Sequence, residues 1–314
     1  MRRTRGLAMR GALMLGAIDA GSNSVRCLAV SSHGGVLEYI GSGAWITRLT
    51  EGIGGGRYEV RPDALGRTAA AVREARSLLD RAGAGPENMM FFATESLRGA
   101  VNGRETGVEL ERASGLPLRI LQGAEEAVLS RSGALLGTKG ADCVFDLGGG
   151  SLEIGGAYGS VSIPAGAVRM QARFGEDAGA IREEVLALLA GSLPGVTMGL
   201  AGVGGTSSAV VMMLEGVPVL DYHPACIHGH KVTSADLEEL FRNISGTPME
   251  ERNLITGLEP KRADIIAAGI IVIRTVLEAA GQKGYTHSET DLLWSMCAEM
   301  ASARGFAASA AKMR

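Results

Sequence analysis

Apolar residues in the first fifty positions come in short runs broken by glycine and serine, the pattern of strands joined by tight turns. Leu15–Asp19 and Val25–Val30 are two such runs around the turn Ala20-Gly-Ser-Asn-Ser24. His33-Gly-Gly35 signals a hairpin into a third strand, Val36–Ile40. The period then changes. Leu65, Ala69, Val72, Leu78 and Leu79 make a helical stripe that starts at Arg61-Pro62-Asp63, where proline and an acid suit a first turn, and runs through Asp80. A strand at Met89–Ala93, helices near Glu95–Val101 and Arg104–Ala113, and a strand at Leu118–Leu121 complete the first half.

The second half repeats this opening. A helix over Glu125–Leu136 leads to the strand Cys143–Asp146, the turn Leu147-Gly-Gly-Gly-Ser151 and the strand Leu152–Ala157. Helices are predicted near Val168–Phe174 and Ala180–Leu189, then a strand at Met198–Val203 meets Gly204-Gly205-Thr206, which opens a helix. Further helices fall at Ala235–Asn243, Lys261–Ala280 and Glu289–Ala303, the second stopped by Gly281. Each half is mixed α/β, and one strand–glycine turn–strand unit per half suggests an ancient duplication.

Composition narrows the picture. The 314 residues suit two domains better than one core. A net charge of −3 gives no global basic field for nucleic acid or a membrane surface, so a polyanion would need a local cluster of donors. The 46 glycines, roughly twice the usual ~7% share, sit at strand ends and mark loops. Cys27, Cys143, Cys226 and Cys297 are far apart with no CxxC pair, which argues against zinc and fits reduced thiols in a cytoplasmic protein. Residues 1–13, with four arginines and no long apolar run behind them, read as a disordered leader or a misassigned start. No segment has the ~18–20 apolar residues of a membrane helix.

The chemistry lies in the turns. Asp19-Ala-Gly-Ser-Asn-Ser24 and Asp146-Leu-Gly-Gly-Gly-Ser151 each put an aspartate at a strand end, followed by small residues whose amides can face an anion. Gly21, Ser22, Asn23 and Ser24, with Gly148, Gly149, Gly150 and Ser151, are therefore candidate phosphate contacts. An aspartate cannot bind phosphate itself, so Asp19 and Asp146 are assigned to a hydrated magnesium. A third turn, Gly204-Gly205-Thr206, opens a helix whose dipole favours phosphate. Together the three turns match the two phosphate loops and the adenosine-type loop of the actin, heat-shock-70 and sugar-kinase superfold. The expected architecture is thus two actin-like (ribonuclease H-like) α/β domains, 14–122 and 123–314, with a cleft between them and the last helix packing back on the first.

Ordered motifs resemble a narrower family. Ile18-Asp-Ala-Gly-Ser-Asn-Ser-Val-Arg26, Thr47-Arg-Leu-Thr-Glu-Gly52, Ala93-Thr-Glu-Ser-Leu-Arg-Gly-Ala-Val-Asn102 and Gln122-Gly-Ala-Glu-Glu-Ala127 are similar to successive motifs of the exopolyphosphatase / guanosine pentaphosphate phosphatase family. So are Asp146–Glu153, Ile163–Arg169, Glu250-Glu-Arg252 and Lys261–Ile266. The resemblance implies that Glu126 is the general base for an attacking water and that Asp146 and Glu153 position metal and water. It also implies that Arg98 and Arg262 flank the substrate phosphate. Arg26 and Ser96, inside two of these motifs, join the phosphate contacts, and magnesium or manganese is the implied cofactor. Carboxylates beside a phosphate need a cation between them, which gives the same answer independently.

Three departures stand out: Leu152 for a threonine, Glu95 and Gly99 within "ATSALREAxN", and Trp294-Ser295 where glycine is usual. Glu95, close to a polyanion site, is expected to repel substrate. The expected activity is hydrolysis of the terminal phosphate of inorganic polyphosphate, of short chains because the family's extra helical domain is absent. Guanosine pentaphosphate phosphohydrolase, an ATP-using kinase or ATPase, and a non-catalytic alarmone or polyphosphate sensor are the alternatives. A homodimer is the family expectation. His223, His228 and His230 match no common zinc spacing and are read as structural.

Overall fold

A computed structural model describes residues 12–51, 53 and 58–313. Most of the leader read at residues 1–13, and Gly52 of the second motif, lie outside the described residues.

The chain opens with an antiparallel meander of β1 (Leu13–Ala20), β2 (Ser24–His33) and β3 (Val36–Ile46). It continues through α1 (Pro62–Arg81), β4 (Met89–Ala93), a single turn α2 (Glu95–Arg98), α3 (Gly103–Ser114) and β5 (Leu118–Ile120). Helix α4 (Gly123–Gly137) leads to a second meander, β6 (Cys143–Leu147), β7 (Leu152–Gly156) and β8 (Gly159–Ile163). Then come α5 (Ala167–Phe174), α6 (Ala178–Leu189), β9 (Leu200–Val203), α7 (Gly205–Glu215), α8 (Pro224–Ile227), β10 (Lys231–Thr233) and α9 (Ser234–Ser245). The chain finishes with α10 (Ile266–Ala279), β11 (Gly284–His287), α11 (Leu292–Ser302) and β12 (Ala310–Lys312).

The strands form two six-stranded sheets, ordered β12-β3-β2-β1-β4-β5 and β10-β11-β9-β6-β7-β8. Within them the runs β3-β2-β1-β4-β5 and β8-β7-β6-β9-β11 share one plan: a meander, then two parallel strands beside its first strand. Period-two alternation explains the layering. From β1, Ile18 and Ala20 join Val72, Leu79 and Leu110 of α1 and α3, whereas Leu15 and Ala17 join Leu292, Met296 and Met300 of α11. Sheets covered on both faces read as near-continuous apolar runs, as here. Helix α10 is buried from Ile266 to Ile273 and meets solvent only near its C-terminal end, at Arg274 and Glu278.

Two helices exchange sheets. Helix α4 leaves β5 of the first sheet and packs on β6, β7 and β8, and α11 leaves β11 of the second and packs on β1 and β2. They cross where Gly133 meets the backbone of Asp291: a Cβ at 133 would be driven into the Asp291 carbonyl, with the carbonyl carbon at 2.5 Å.

Several local expectations shift. Strand β3 runs six residues past Ile40, and α2 stops at Arg98, while the helix expected from Lys261 begins at Ile266 behind a 3-10 turn at Pro260–Arg262. The short strands β8, β10, β11 and β12 carry no alternation long enough to be read. Asp291 caps α11 by accepting from Leu293 N at 3.0 Å, so that helix starts three residues later than the expected Glu289. Among the described residues no helix is long and apolar enough to cross a membrane.

Candidate active site

The β1–β2 and β6–β7 turns are built alike. Gly21 N donates to Ser24 O at 3.0 Å, and Gly148 N donates to Ser151 O at 3.1 Å, so each first glycine closes its own turn. Those two amides are thereby engaged; the candidate donors to an anion are the later residues of each loop. The loops face each other across the cleft: a Cβ on Gly149 would lie 3.1 Å from Ser22 Cβ and 3.3 Å from Asn23 Cβ. The third loop completes the wall. Gly204 has φ +96°, open to glycine at little cost, and a Cβ there would meet the Leu147 carbonyl at 2.5 Å. Gly205 lies flat against the Arg262 guanidinium, 2.5 Å from where its Cβ would be.

These loops enclose a cavity of about 70 Å³ lined by Asp19, Gly21, Ser22, Asn23, Ser24, Arg26, Glu126, Asp146, Gly148–Ser151, Gly204, Gly205, Thr206 and Arg262. Thr94, Ala167, Ile265 and Leu292 also line it; the first three lie inside the motifs quoted above but were not singled out, and Leu292 carried no motif. Arg26, Gly205 and Arg262 also border a chamber of about 750 Å³, walled by Tyr39, Trp45, Tyr222 and Trp294 with Arg67 and Lys261.

Three candidate residues stand outside the small cavity. Ser96 is fully buried and donates to Ala20 O at 2.5 Å, tying α2 to the first loop. Glu153 accepts from Ser162 Oγ at 2.7 Å behind the second loop. Arg98 donates to Leu121 O at 2.5 Å and sits 3.4 Å from Glu126 Oε2, a long contact beside the carboxylate. Arg26, expected on phosphate, is held by Asp19 (Nη2–Oδ2 2.9 Å) and Asp291 (Nη1–Oδ2 2.5 Å). By contrast, among the described residues no side-chain hydrogen bond or salt bridge holds the half-buried Arg262, and Glu259 acts on it only at longer range. Burial, with Arg26 nearby, lowers its guanidinium to about 10.

Acid outweighs base here. Burial, and then Glu153 and Asp146, push Glu126 well above the usual carboxylate range against the pull of Arg98. Burial lifts Asp146 to about 6 although Arg26 is near and Ser130 Oγ donates to it at 2.6 Å. Ser130 lies four residues after Glu126 on the same helix face, a spacing that could have flagged it. Burial, then Asp146, raise Glu153 to about 8. Asp19 is also raised by burial, despite Arg26, whereas Arg26 is held protonated by Asp291, Asp19 and Asp146. Burial raises the acids, and their negative charge in turn holds Arg26 protonated.

The metal assignment rests on this donor set. Among the described residues no three acidic side chains gather into a ready-made metal cluster. Asp19 Oδ1, however, is buried without a partner, as is Asn23 Nδ2, and both residues line the cavity. Magnesium keeps several waters and takes one or two carboxylates, so Asp19 and Asp146, which line the cavity, fit it, while Glu153 stands outside that lining.

Residues 28–293 match the model of the Ppx/GppA phosphatase family. The chain belongs to this family. Exopolyphosphatase 2 of Mycobacterium tuberculosis is 32% identical over 309 residues, covering 88% of this chain and 95% of the relative. A Ppx/GppA crystal structure from Aquifex aeolicus superposes with a TM-score of 0.73 at 24% identity, over 94% of this chain and 98% of that one. An exopolyphosphatase structure from Cytophaga hutchinsonii gives 0.77 at 19% identity, over 95% and 100%. The fold is accordingly the actin-like α/β fold of Ppx/GppA proteins, and the family member is a phosphoanhydride hydrolase.

Proposed function

We propose that the protein is a magnesium-dependent exopolyphosphatase that removes the terminal phosphate of inorganic polyphosphate, with Glu126 as general base. The observation that carries this reading is the small cavity whose lining brings Arg262 together with Glu126, Asp19, Asp146 and three glycine loops, with Asp19 Oδ1 and Asn23 Nδ2 buried there without partners. The chain end enters with its oxygens against the loop amides and Arg262. Glu126, whose proton affinity is raised by burial and by Glu153 and Asp146, takes the proton of an in-line water. Arg98 orients that carboxylate. Asp19 and Asp146 would hold magnesium, which supplies neutralisation of the phosphate oxygens when bound.

A second reading, guanosine pentaphosphate as substrate, is favoured by one feature. The 750 Å³ chamber joins the phosphate cavity and offers Tyr39, Trp45 and Tyr222 for a base and ribose.

The test is phosphate release from short polyphosphate, long polyphosphate, guanosine pentaphosphate and ATP, with magnesium and with chelator. Glu126→Ala serves as control, and binding is measured in parallel. Release that chelator abolishes, and that falls about 10²–10⁴-fold in the control, is the expected result. Binding of every compound with release of none would leave a sensor in place of an enzyme.

A further inference from the structure

Glu95 is half-buried at the first position of α2, and its carboxylate bridges two arginines from opposite sides of the cleft. Oε1 lies 2.9 Å from Arg169 Nη2 of α5, and Oε2 lies 3.2 Å from Arg98 Nη2. Arg169 is buried, and its Nε donates to Gly150 O of the second phosphate loop at 2.8 Å. Arg98 in turn faces Glu126. The charges therefore alternate along one line from the second phosphate loop to the proposed base: Arg169, Glu95, Arg98, Glu126.

The surroundings hold the carboxylate in this place. Tyr58 OH donates to the Glu95 and Ser96 carbonyls at 2.6 and 2.9 Å, pinning α2. The Glu95 stem lies on the second loop, with Cγ 2.9 Å from where a Gly150 Cβ would be. A Cβ at position 99 would meet Glu95 Oε1 at 2.6 Å, so Gly99 makes the room that the carboxylate occupies. Positions 95 and 99 are the two departures within this motif, and the fold joins them into one feature.

We infer that Glu95 is a specificity-determining residue, an internal counter-anion that occupies Arg98 and Arg169 and limits how much negative charge the site accepts from its ligand. This rests on the phosphate-site reading above. Sequence reasoning expected Glu95 to repel substrate, and the ion pairs give that effect a route. A phosphate approaching either guanidinium must displace a carboxylate already seated there, and it meets that carboxylate's charge in a site screened little by salt. A sparsely charged ligand is scarcely affected, whereas a chain that places several charges in the cleft is penalised.

The experiment compares wild type with Glu95→Gln, which keeps size and loses charge, each also in a Glu126→Ala background that stops turnover. Calorimetry with magnesium and tripolyphosphate reads affinity directly, orthophosphate is the low-charge probe, and thermal unfolding monitors the fold. Glu95→Gln is expected to bind tripolyphosphate about tenfold more tightly and orthophosphate within about twofold of wild type. In the active background KM falls while kcat holds within about twofold. Equal or weaker tripolyphosphate binding by a folded Glu95→Gln overturns the inference, as does an equal gain for both probes. Should Glu95→Gln fail to fold, Glu95→Ser is judged by the same two criteria, and failure of both to fold would mean that Glu95 is structural and overturn it too. If neither protein releases phosphate yet the affinities separate as stated, the hydrolase proposal falls and the role of Glu95 stands.

Discussion

Replacing Arg26 by methionine removes the cation that Asp19 and Asp291 share while keeping a side chain of similar length. Their side chains are 8% and 11% exposed, and the guanidinium binds both through contacts of 2.5–3.3 Å. Deleting one partner of a buried ion pair costs about 3–5 kcal/mol, because the charges left behind stay desolvated. The Arg26 side chain is 24% exposed and borders a cavity open to water, which places the expected loss near the lower end, about 3 kcal/mol. Urea unfolding at neutral pH without divalent ions measures it as a drop in midpoint at unchanged slope. Two further readings follow from the same geometry. Acidification protonates Asp19, which burial already favours, so the gap between variant and wild type narrows as pH falls. Magnesium at about 100 times its Kd returns about 2.7 kcal/mol if Asp19 helps to hold it. A loss below about 1 kcal/mol, or a gap that widens in acid, would refute the view that Arg26 is the charge compensation of this site.

Glu153 carries a pH signature of its own. Its folded carboxyl titrates at about 8, above the unfolded value, so the folded state binds the extra proton. The associated stability is complete below the unfolded value near 4.5 and is lost as pH rises through about 8. Thermal unfolding without divalent ions should therefore show wild type losing stability over that window and Glu153→Gln losing less; parallel profiles would refute it. Gly133→Ala, which sets a methyl group into the Asp291 backbone, should cost about 1–3 kcal/mol by overpacking. Calorimetric unfolding checks it, and a neutral result would show that the α4–α11 crossing yields easily.

The two aspartate–glycine turns were legible because their chemistry is local. Asp19 and Asp146 end their strands, and the small residues after them could be placed without knowing the rest of the fold. Glu126 was legible only through its motif, since an acid at a helix start is ordinary. Contacts between distant segments were hidden. Nothing near Arg26 announces Asp291, 265 residues away, and nothing near Glu95 announces Arg169, 74 residues on. The motif around Arg26 thus offered a phosphate contact, and the fold adds that its guanidinium also pairs with Asp19 and Asp291. Strands β8, β10, β11 and β12 were missed because three to five residues carry no period, and their pairing comes from the neighbouring strands.

The exchange of α4 and α11 between the sheets determines how the cleft can move. The chain passes from one half to the other twice, once into each helix, and the two helices touch at Gly133 and Asp291. A single covalent link would act as a ball joint and let the halves twist, slide or part. Two links that touch resist sliding of one half past the other, so the crossing itself helps to hold the first glycine loop in register with the second and third.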